Sequence, residues 1–362
     1  MTSEKAQFFY ERIIRHPRII ELADDVLSWI DAPSGPNIMI VVGPTGVGKT
    51  TQQDQILRKL HESKQQSINA NPGIMPYLRV EAPAPTGSSF GWRDLYFRIL
   101  DAMWEPLIGD KQIPARPIDS LAVQPPSNRA PAAELCRAVE SCIRNRQAEV
   151  LIIDEAQHFL MMGSGRRLRD QLDCLKSLSN LSGVKLLLIG TYDLLELSRL
   201  NGQLARRCQP LHFARYRCDD ADDWRSFQNV VATFQANLPL HAGFDLLDKA
   251  KFLYERSCGC VGILKTWLDQ ALGLALRNGT GISRSILTKT ALPVGTIQTI
   301  AEEIQRGEAR YREIEEGISN RALKDLLGLN VFEPPVATSP KARVKRKPGE
   351  RQPKRDPVGI PS

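Results

Sequence analysis

This 362-residue sequence predicts an α/β fold, a parallel sheet flanked by helices and carrying a phosphate-binding loop, followed by a small all-helical region. Three observations carry that prediction. The apolar run Ile38-Met39-Ile40-Val41-Val42 enters the turn Gly43-Pro44-Thr45-Gly46-Val47-Gly48-Lys49-Thr50, with Thr51 and an amphipathic segment behind it. Two later apolar runs end at Asp154-Glu155 and at Gly190-Thr191. From Asp219 onward only helical periodicity remains. Strands that read as unbroken apolar runs and alternate with helices belong to a parallel sheet covered on both faces. Ligands of such sheets sit at the carboxyl ends of the strands, where Lys49, Asp154, Glu155 and Thr191 all fall.

Taken in order, residues 3–15 read as a helix. A second helix starts at Pro17, a favoured first-turn residue, and puts Ile19, Ile20, Ala23, Val26, Leu27 and Ile30 on one face. Asp31-Ala-Pro-Ser-Gly-Pro ends it and leads into the strand at 38–42. The helix behind the glycine-rich turn opens at Lys49 and gives way to a turn at Asn69-Ala-Asn-Pro-Gly; a short strand follows at 77–81. Residues 89–104 have Trp92, Leu95, Tyr96, Ile99, Leu100 and Met103 at helical spacing. The stretch 105–131 is Pro-rich and irregular, a length more often functional or disordered than inert. A helix at 132–146 precedes the strand ending at Asp154-Glu155. After Gly163-Ser-Gly-Arg-Arg comes a helix at 170–181, then the strand ending at Gly190-Thr191. Helices follow at 220–236, 244–257, 262–278 and 283–291, with one or two more within 296–328. The domains expected are 1–217 (sheet), 218–292 (helical), 293–332 (terminal helices) and 333–362, a basic tail too poor in large apolar residues to form a core and therefore expected to be disordered.

Composition excludes several classes. No apolar run approaches the roughly 18–20 residues of a membrane span, and the polar start Met-Thr-Ser-Glu-Lys lacks a signal-peptide core. Seven scattered cysteines, with only Cys258 and Cys260 close together, point to reduced cytoplasmic thiols rather than a disulfide framework or zinc site. The net charge of +7 belongs to the tail. Of 48 Lys/Arg and 41 Asp/Glu, eight and two lie beyond Val336, so the rest carries 40 and 39. A near-neutral body does not by itself argue for a basic nucleic-acid-binding face.

The chemistry follows from the strand ends. Gly43, Gly46 and Gly48 let successive backbone N–H groups curl around phosphate oxygens, and the new helix adds its free N–H groups. Lys49 is then placed for the β- and γ-phosphates of a nucleoside triphosphate and the Thr50 hydroxyl for Mg²⁺. Asp154, after four apolar residues, suits a Mg²⁺-organising carboxylate, and Glu155 beside it is placed to orient or deprotonate a water. Thr191 is a candidate for contact with the γ-phosphate or that water, the alternative being a turn residue at a strand end.

The phosphate loop, the Asp-Glu strand, the Gly-Thr strand and the helical appendage together resemble an AAA+ ATPase. The segments LIIDEAQHFLMMGSGRRLRDQLDCLKSLSNL, LLLIGTYDLL, NGQLARRCQPLHF and Asn237-Leu-Pro-Leu, within roughly residues 10–280, more closely resemble the TniB/TnsC family of transposon ATPases. The resemblance implies an AAA+ P-loop NTPase with a helical lid, an ATP-dependent regulator of DNA transposition. Such proteins assemble on double-stranded DNA as homo-oligomeric rings or filaments, link a TniQ-like target-selection protein to the transposase, and are reset by hydrolysis. It maps Lys49, Thr50 and Thr51 to phosphate and Mg²⁺ binding, Asp154 and Glu155 to Walker B, and Thr191 to sensor 1. Arg206 or Arg207 would be the finger acting on a neighbour's ATP, the alternative for two adjacent arginines at a helix end being a solvated face or an ion pair. Lys265, in Gly262-Ile-Leu-Lys-Thr, falls at the sensor 2 place, where arginine is usual; a plain surface lysine is the alternative. DNA-contact candidates are Lys111, Arg116 and Arg129 in the long loop and Arg166, Arg167 and Arg169 after Walker B, each alternatively a solvated surface residue. The basic tail would dock a transposase or transposon endonuclease, or add phosphate contacts. A helicase-loader or replication-initiation ATPase, and an ATP-gated signalling switch that does not bind DNA, are the other readings.

Overall fold

The computed structural model describes residues 9–10, 16–85, 90–106, 108, 132–161, 166–199, 207–317 and 320–328, with the backbone alone for 166–172 and 320–321. The chain divides into two compact units, Met1–Ile314 and Glu315–Ser362.

The first unit is built on a five-stranded sheet of order β2-β3-β4-β1-β5. The strands are β1 (Ile38–Val42), β2 (Tyr77–Glu81), β3 (Val150–Asp154), β4 (Lys185–Gly190) and β5 (Cys208–His212). All pairings are parallel, with Val42 level with Gly190 and His212, and Glu81 level with Asp154. Side chains alternate across each strand. Ile38, Ile40, Val42, Leu151, Ile153, Leu186 and Leu188 thus join one core, while Met39, Val41, Val150, Ile152, Leu187 and Ile189 join the other.

On the second face lie α1 (Pro17–Asp31) and α2 (Lys49–Ala70), contributing Ile19, Val26, Ile56 and Leu60. The first face is covered by α3 (Trp92–Ala102), α4 (Ala132–Asn145) and α5 (Arg166–Ser182) through Leu95, Ile99, Leu135, Val139, Leu175 and Leu178. Lys185, the first residue of β4, donates to the Ile30 and Ala32 carbonyls at 2.9 and 2.7 Å, satisfying acceptors at the end of α1 that the helix cannot pair internally.

A short helix α6 (Glu196–Arg199) precedes β5. Beyond the sheet, α7 (Ala221–Gln235), α8 (Ala250–Ser257), α9 (Val261–Arg277) and α10 (Arg284–Thr290) enclose a separate core around Phe227, Phe234, Leu264, Leu268 and Leu272. Asp220 caps α7 by accepting from the N–H groups of Asp222 and Asp223 at 3.0 and 2.9 Å. The long helix α11 (Val294–Glu316) follows. The described residues of the second unit comprise the end of α11 and a short helix, α12 (Asn320–Leu326).

Most elements fall where periodicity puts them, with four differences, the first being that the helix expected over 244–257 begins only at Ala250, after a 3₁₀ turn at Leu247–Lys249. The helix expected over 89–104 is confined to Trp92–Ala102, ending before Trp104, whose φ is +54°. The helix expected from 170 already begins at Arg166. β5 carries no strand pattern, since Cys-Gln-Pro-Leu-His neither alternates nor runs apolar. It is an edge strand paired only with β1, the position at which a sheet tolerates proline. The expected helix at 3–15 lies largely, and the tail 333–362 wholly, outside the described residues.

Candidate active site

β1 delivers the chain to the carboxyl edge of the sheet, where it turns tightly. The Gly43 N–H donates to the Gly190 carbonyl at 3.4 Å, tying the start of the loop to the end of β4. A Cβ on Gly43 would lie 2.5 Å from the Phe213 carbonyl oxygen, so the close approach to the end of β5 requires glycine. Val47 is buried in the α1–α2 core and anchors the loop, whereas Thr45 and Gly46 are exposed. Gly48 adopts φ +112°, a conformation side chains resist, and α2 begins at the next residue. A Cβ on Gly48 would meet nothing within 4 Å, so the backbone fronts open space.

Lys49 is half-buried, and its ammonium donates to the Gly43 and Pro44 carbonyls at 3.1 and 3.0 Å. Burial lowers its pKa below the ordinary lysine value, while Glu155, Asp154 and, further off, Glu303 pull it back up. The cation is held by the loop's own carbonyls, and the carboxylates at the end of β3 act on its charge. Thr50 is exposed on the first turn of α2 and Thr51 half-buried behind it.

Asp154 ends β3. Its Oδ1 accepts from the Glu155 N–H at 2.9 Å, and its Oδ2 lies 3.6 Å from the Arg79 guanidinium. Glu155 adopts φ +51°, ψ +33°, a left-handed conformation that costs a non-glycine residue on the order of 1–3 kcal/mol. A 3₁₀ turn, Ala156–Phe159, follows, with Ala156 and Phe159 fully buried. Thr191 lies one residue beyond β4, and its hydroxyl donates to Asp193 at 3.3 Å.

These residues fit a magnesium nucleotide. A glycine backbone faces open space, a lysine sits between that backbone and two carboxylates, and the Thr50 hydroxyl and Asp154 carboxylate are the hard oxygen donors Mg²⁺ takes.

Two arginine–carboxylate pairs tie the neighbouring elements together. Arg18 of α1 grips Asp223 of α7 at 2.6 Å. Arg215, just after β5, donates to Glu308 of α11 at 2.9 Å and to the Tyr254 hydroxyl of α8 at 2.9 Å. α11 also reaches the turn after β4. Gly307 packs on Tyr192, where a Cβ would lie 2.0 Å from the ring, and Asp193 pairs with Arg310 at 3.6 Å. Helix α9 touches the loop as well. The Ile263 N–H at the start of α9 donates to the Gly46 carbonyl at 2.9 Å, and a Cβ on Gly262 would lie 2.4 Å from that oxygen. Neither Arg215 nor α11 was legible as part of the site, because both act through contacts distant in sequence.

The other expected residues lie elsewhere. Lys265 donates to Asp269 at 2.6 and 2.8 Å and sits 4.4 Å from the centre of the Phe9 ring. Arg207 precedes β5, at the amino end of the sheet, and donates to Asn180 at 2.7 Å. Arg206, Lys111, Arg116 and Arg129 lie outside the described residues; Arg166, Arg167 and Arg169 fall in the first turn of α5, where only the backbone is described.

Fold and site together define an ATPase on the AAA+ P-loop fold. Residues 31–198 match the family model described as AAA domain. No curated protein matches the chain. Among solved structures the chain is similar to the ORC2 protein of Aeropyrum pernix, solved as ADPNP–ADP complexes, at 14% identity, TM-score 0.51 and 90% coverage of both chains. It is also similar to the ORC1 protein of the same organism in complex with DNA, at 16% identity and TM-score 0.51, over 88% of this chain and 73% of that one. The Walker-type ATPase Paby2304 of Pyrococcus abyssi matches at 16% identity and TM-score 0.48, over 90% and 87%. These likenesses are of fold. Among the described residues no helix is long and apolar enough to cross a membrane.

Proposed function

We propose that this protein is an ATP-dependent regulator of DNA transposition that assembles on double-stranded DNA and is dismantled by hydrolysis. In this reading Lys49 and the loop bind the phosphates of ATP, and Thr50 and Asp154 hold Mg²⁺. Glu155 activates the attacking water and Thr191 faces the γ-phosphate. The magnesium ion supplies charge neutralisation when bound; the chain supplies orientation and the base. A nucleotide contact from Lys265 requires its pair with Asp269 to open.

One observation carries the assembly. Arg207 sits at the amino end of β5, and a five-residue strand separates it from the carboxyl edge by about 16 Å. If Arg207 is the finger, it would have to serve the ATP of a neighbouring subunit rather than its own, and hydrolysis would then depend on oligomerisation. The transposition setting rests on the resemblance to TniB/TnsC proteins, and with it go a target-selection protein and a transposase as partners.

Negative-stain images with and without duplex DNA and a nonhydrolysable ATP analogue test the assembly. Rings or filaments are expected when both are present; monomers in all four conditions overturn it. A replication-initiation role is favoured by one observation, the fold shared with the Aeropyrum pernix ORC proteins. Stimulation of a replicative helicase rather than of transposase-catalysed strand transfer would establish that role instead.

A further inference from the structure

Between the two catalytic strand ends lies a side chain to which the chemistry above gives no task. Gln157, in the 3₁₀ turn after β3, is buried. Both ends of its amide are engaged. The Nε2 group donates to Oε2 of Glu155, and Oε1 accepts the Thr191 N–H at 3.2 Å. The orientation of the amide is fixed by its partners, since a carboxylate can only accept and a backbone N–H can only donate. The contact also explains a glycine. A Cβ on Gly190 would lie 2.2 Å from Gln157 Oε1, so a larger residue there would push the amide off the end of β4. The turn itself is anchored by Ala156 and Phe159 in the core.

We infer that Gln157 is a positioning residue for hydrolysis, its amide fixing the Glu155 carboxylate relative to the Thr191 turn so that base and sensor address the same water. The inference rests on the reading of Glu155 as the water-activating group. Glu155 needs such a support because its left-handed backbone leaves the side chain without a helix or strand to orient it. Ground-state nucleotide binding, which belongs to the loop and Lys49, does not pass through Gln157.

The test is steady-state ATP hydrolysis by Gln157→Met, which keeps the bulk of the side chain and removes the amide, with Gln157→Asn, which keeps the amide but falls a methylene short. Each is measured with its thermal midpoint and its affinity for a fluorescent ATP analogue. Both variants are expected to lower kcat by about 10- to 100-fold, the scale of a misplaced catalytic group, with KM and nucleotide affinity within about twofold. In a Glu155→Gln background neither should lower kcat further, because one interaction cannot be lost twice. A side chain serving only as packing would leave Gln157→Met at the wild-type rate. That rate, or a loss that multiplies with Glu155→Gln, overturns the inference. Should Glu155→Gln itself hydrolyse ATP at the wild-type rate, the base assignment fails and the inference with it. Should Glu155→Gln be inactive and Gln157→Met fully active, the positioning role alone fails.

Discussion

Lys49, proposed above to bind phosphate, is tied to its own loop rather than to the packed interior of the fold. Its ammonium bonds only backbone carbonyls of the loop it belongs to, and it is not part of any core. Lys49→Ala is therefore expected to abolish nucleotide binding, measured by titration with a fluorescent ATP analogue, while the thermal midpoint without nucleotide moves by no more than a surface substitution does, about 0.5 kcal/mol in stability. At this scale the sequence was readable where chemistry repeats a spacing. Lys49 follows three glycines, and Asp154 and Glu155 close an apolar run. Gln157 carries no such signature, since a glutamine two residues past a carboxylate acquires meaning only when β4 brings the Thr191 N–H to it.

Among the elements, α11 is held through a few close contacts. Gly307 sits against the Tyr192 ring, Ile304 is buried beside Cys258 and Cys260, and Tyr311 stacks on His212 at 4.5 Å. Gly307→Ala places a methyl where the ring already is. Overpacking of this kind costs typically 1–3 kcal/mol, and the strain falls on a helix that rigid neighbours hold on one side only. Faster amide exchange across 294–316, with the sheet strands unchanged, is the expected result; unchanged exchange would mean that the Tyr192 ring moves aside instead. The contrast between β1 and β5 shows what a sequence conveys about elements. β1 is central and covered on both faces, so its residues must be apolar. β5 lies at the edge, where polar residues and Pro210 are allowed, and nothing in its composition announces a strand. α11 was legible as an amphipathic helix but its docking site was not, because the Tyr192 ring and Arg215 lie about a hundred residues earlier in the chain.

The whole molecule carries a pH dependence in two imidazoles, one buried and one partly buried. His16 hydrogen-bonds the Tyr216 hydroxyl at 2.9 Å, and His212 the Tyr192 hydroxyl at 2.8 Å. Burial, reinforced by the nearby Arg18 guanidinium, pushes each down to about 4 from 6.5. Below pH 6.5 the unfolded chain takes up protons that the folded chain refuses until about pH 4, so stability is undiminished above pH 6.5 and falls as the pH drops through that window. Each histidine contributes up to about 3 kcal/mol of that loss. Urea unfolding at pH 7 and pH 4.5 should show it, and His212→Phe should flatten part of the slope; a wild-type stability equal at the two pH values would mean that the imidazoles are protonated in the fold. The placement of sheet, loop and carboxylates was read correctly at this scale because every parallel strand delivers its end to the same edge. The contacts that join α11 and α9 to that edge were not readable, since they follow from how helices lie across a sheet rather than from any local pattern.

The hydrogen bond from Ile263 to the Gly46 carbonyl makes the phosphate loop a bearing for α9. That helix runs for 17 residues, a rod about 25 Å long. A tilt of about 10° at its first turn would carry the far end through about 4 Å. Its buried face, with Leu264, Leu268, Leu272 and Ala275, is the spine of the helical core, so that core would swing with it. With its pivot at the loop, the helix would turn a small adjustment at Gly46 into a movement of several ångströms at Arg277.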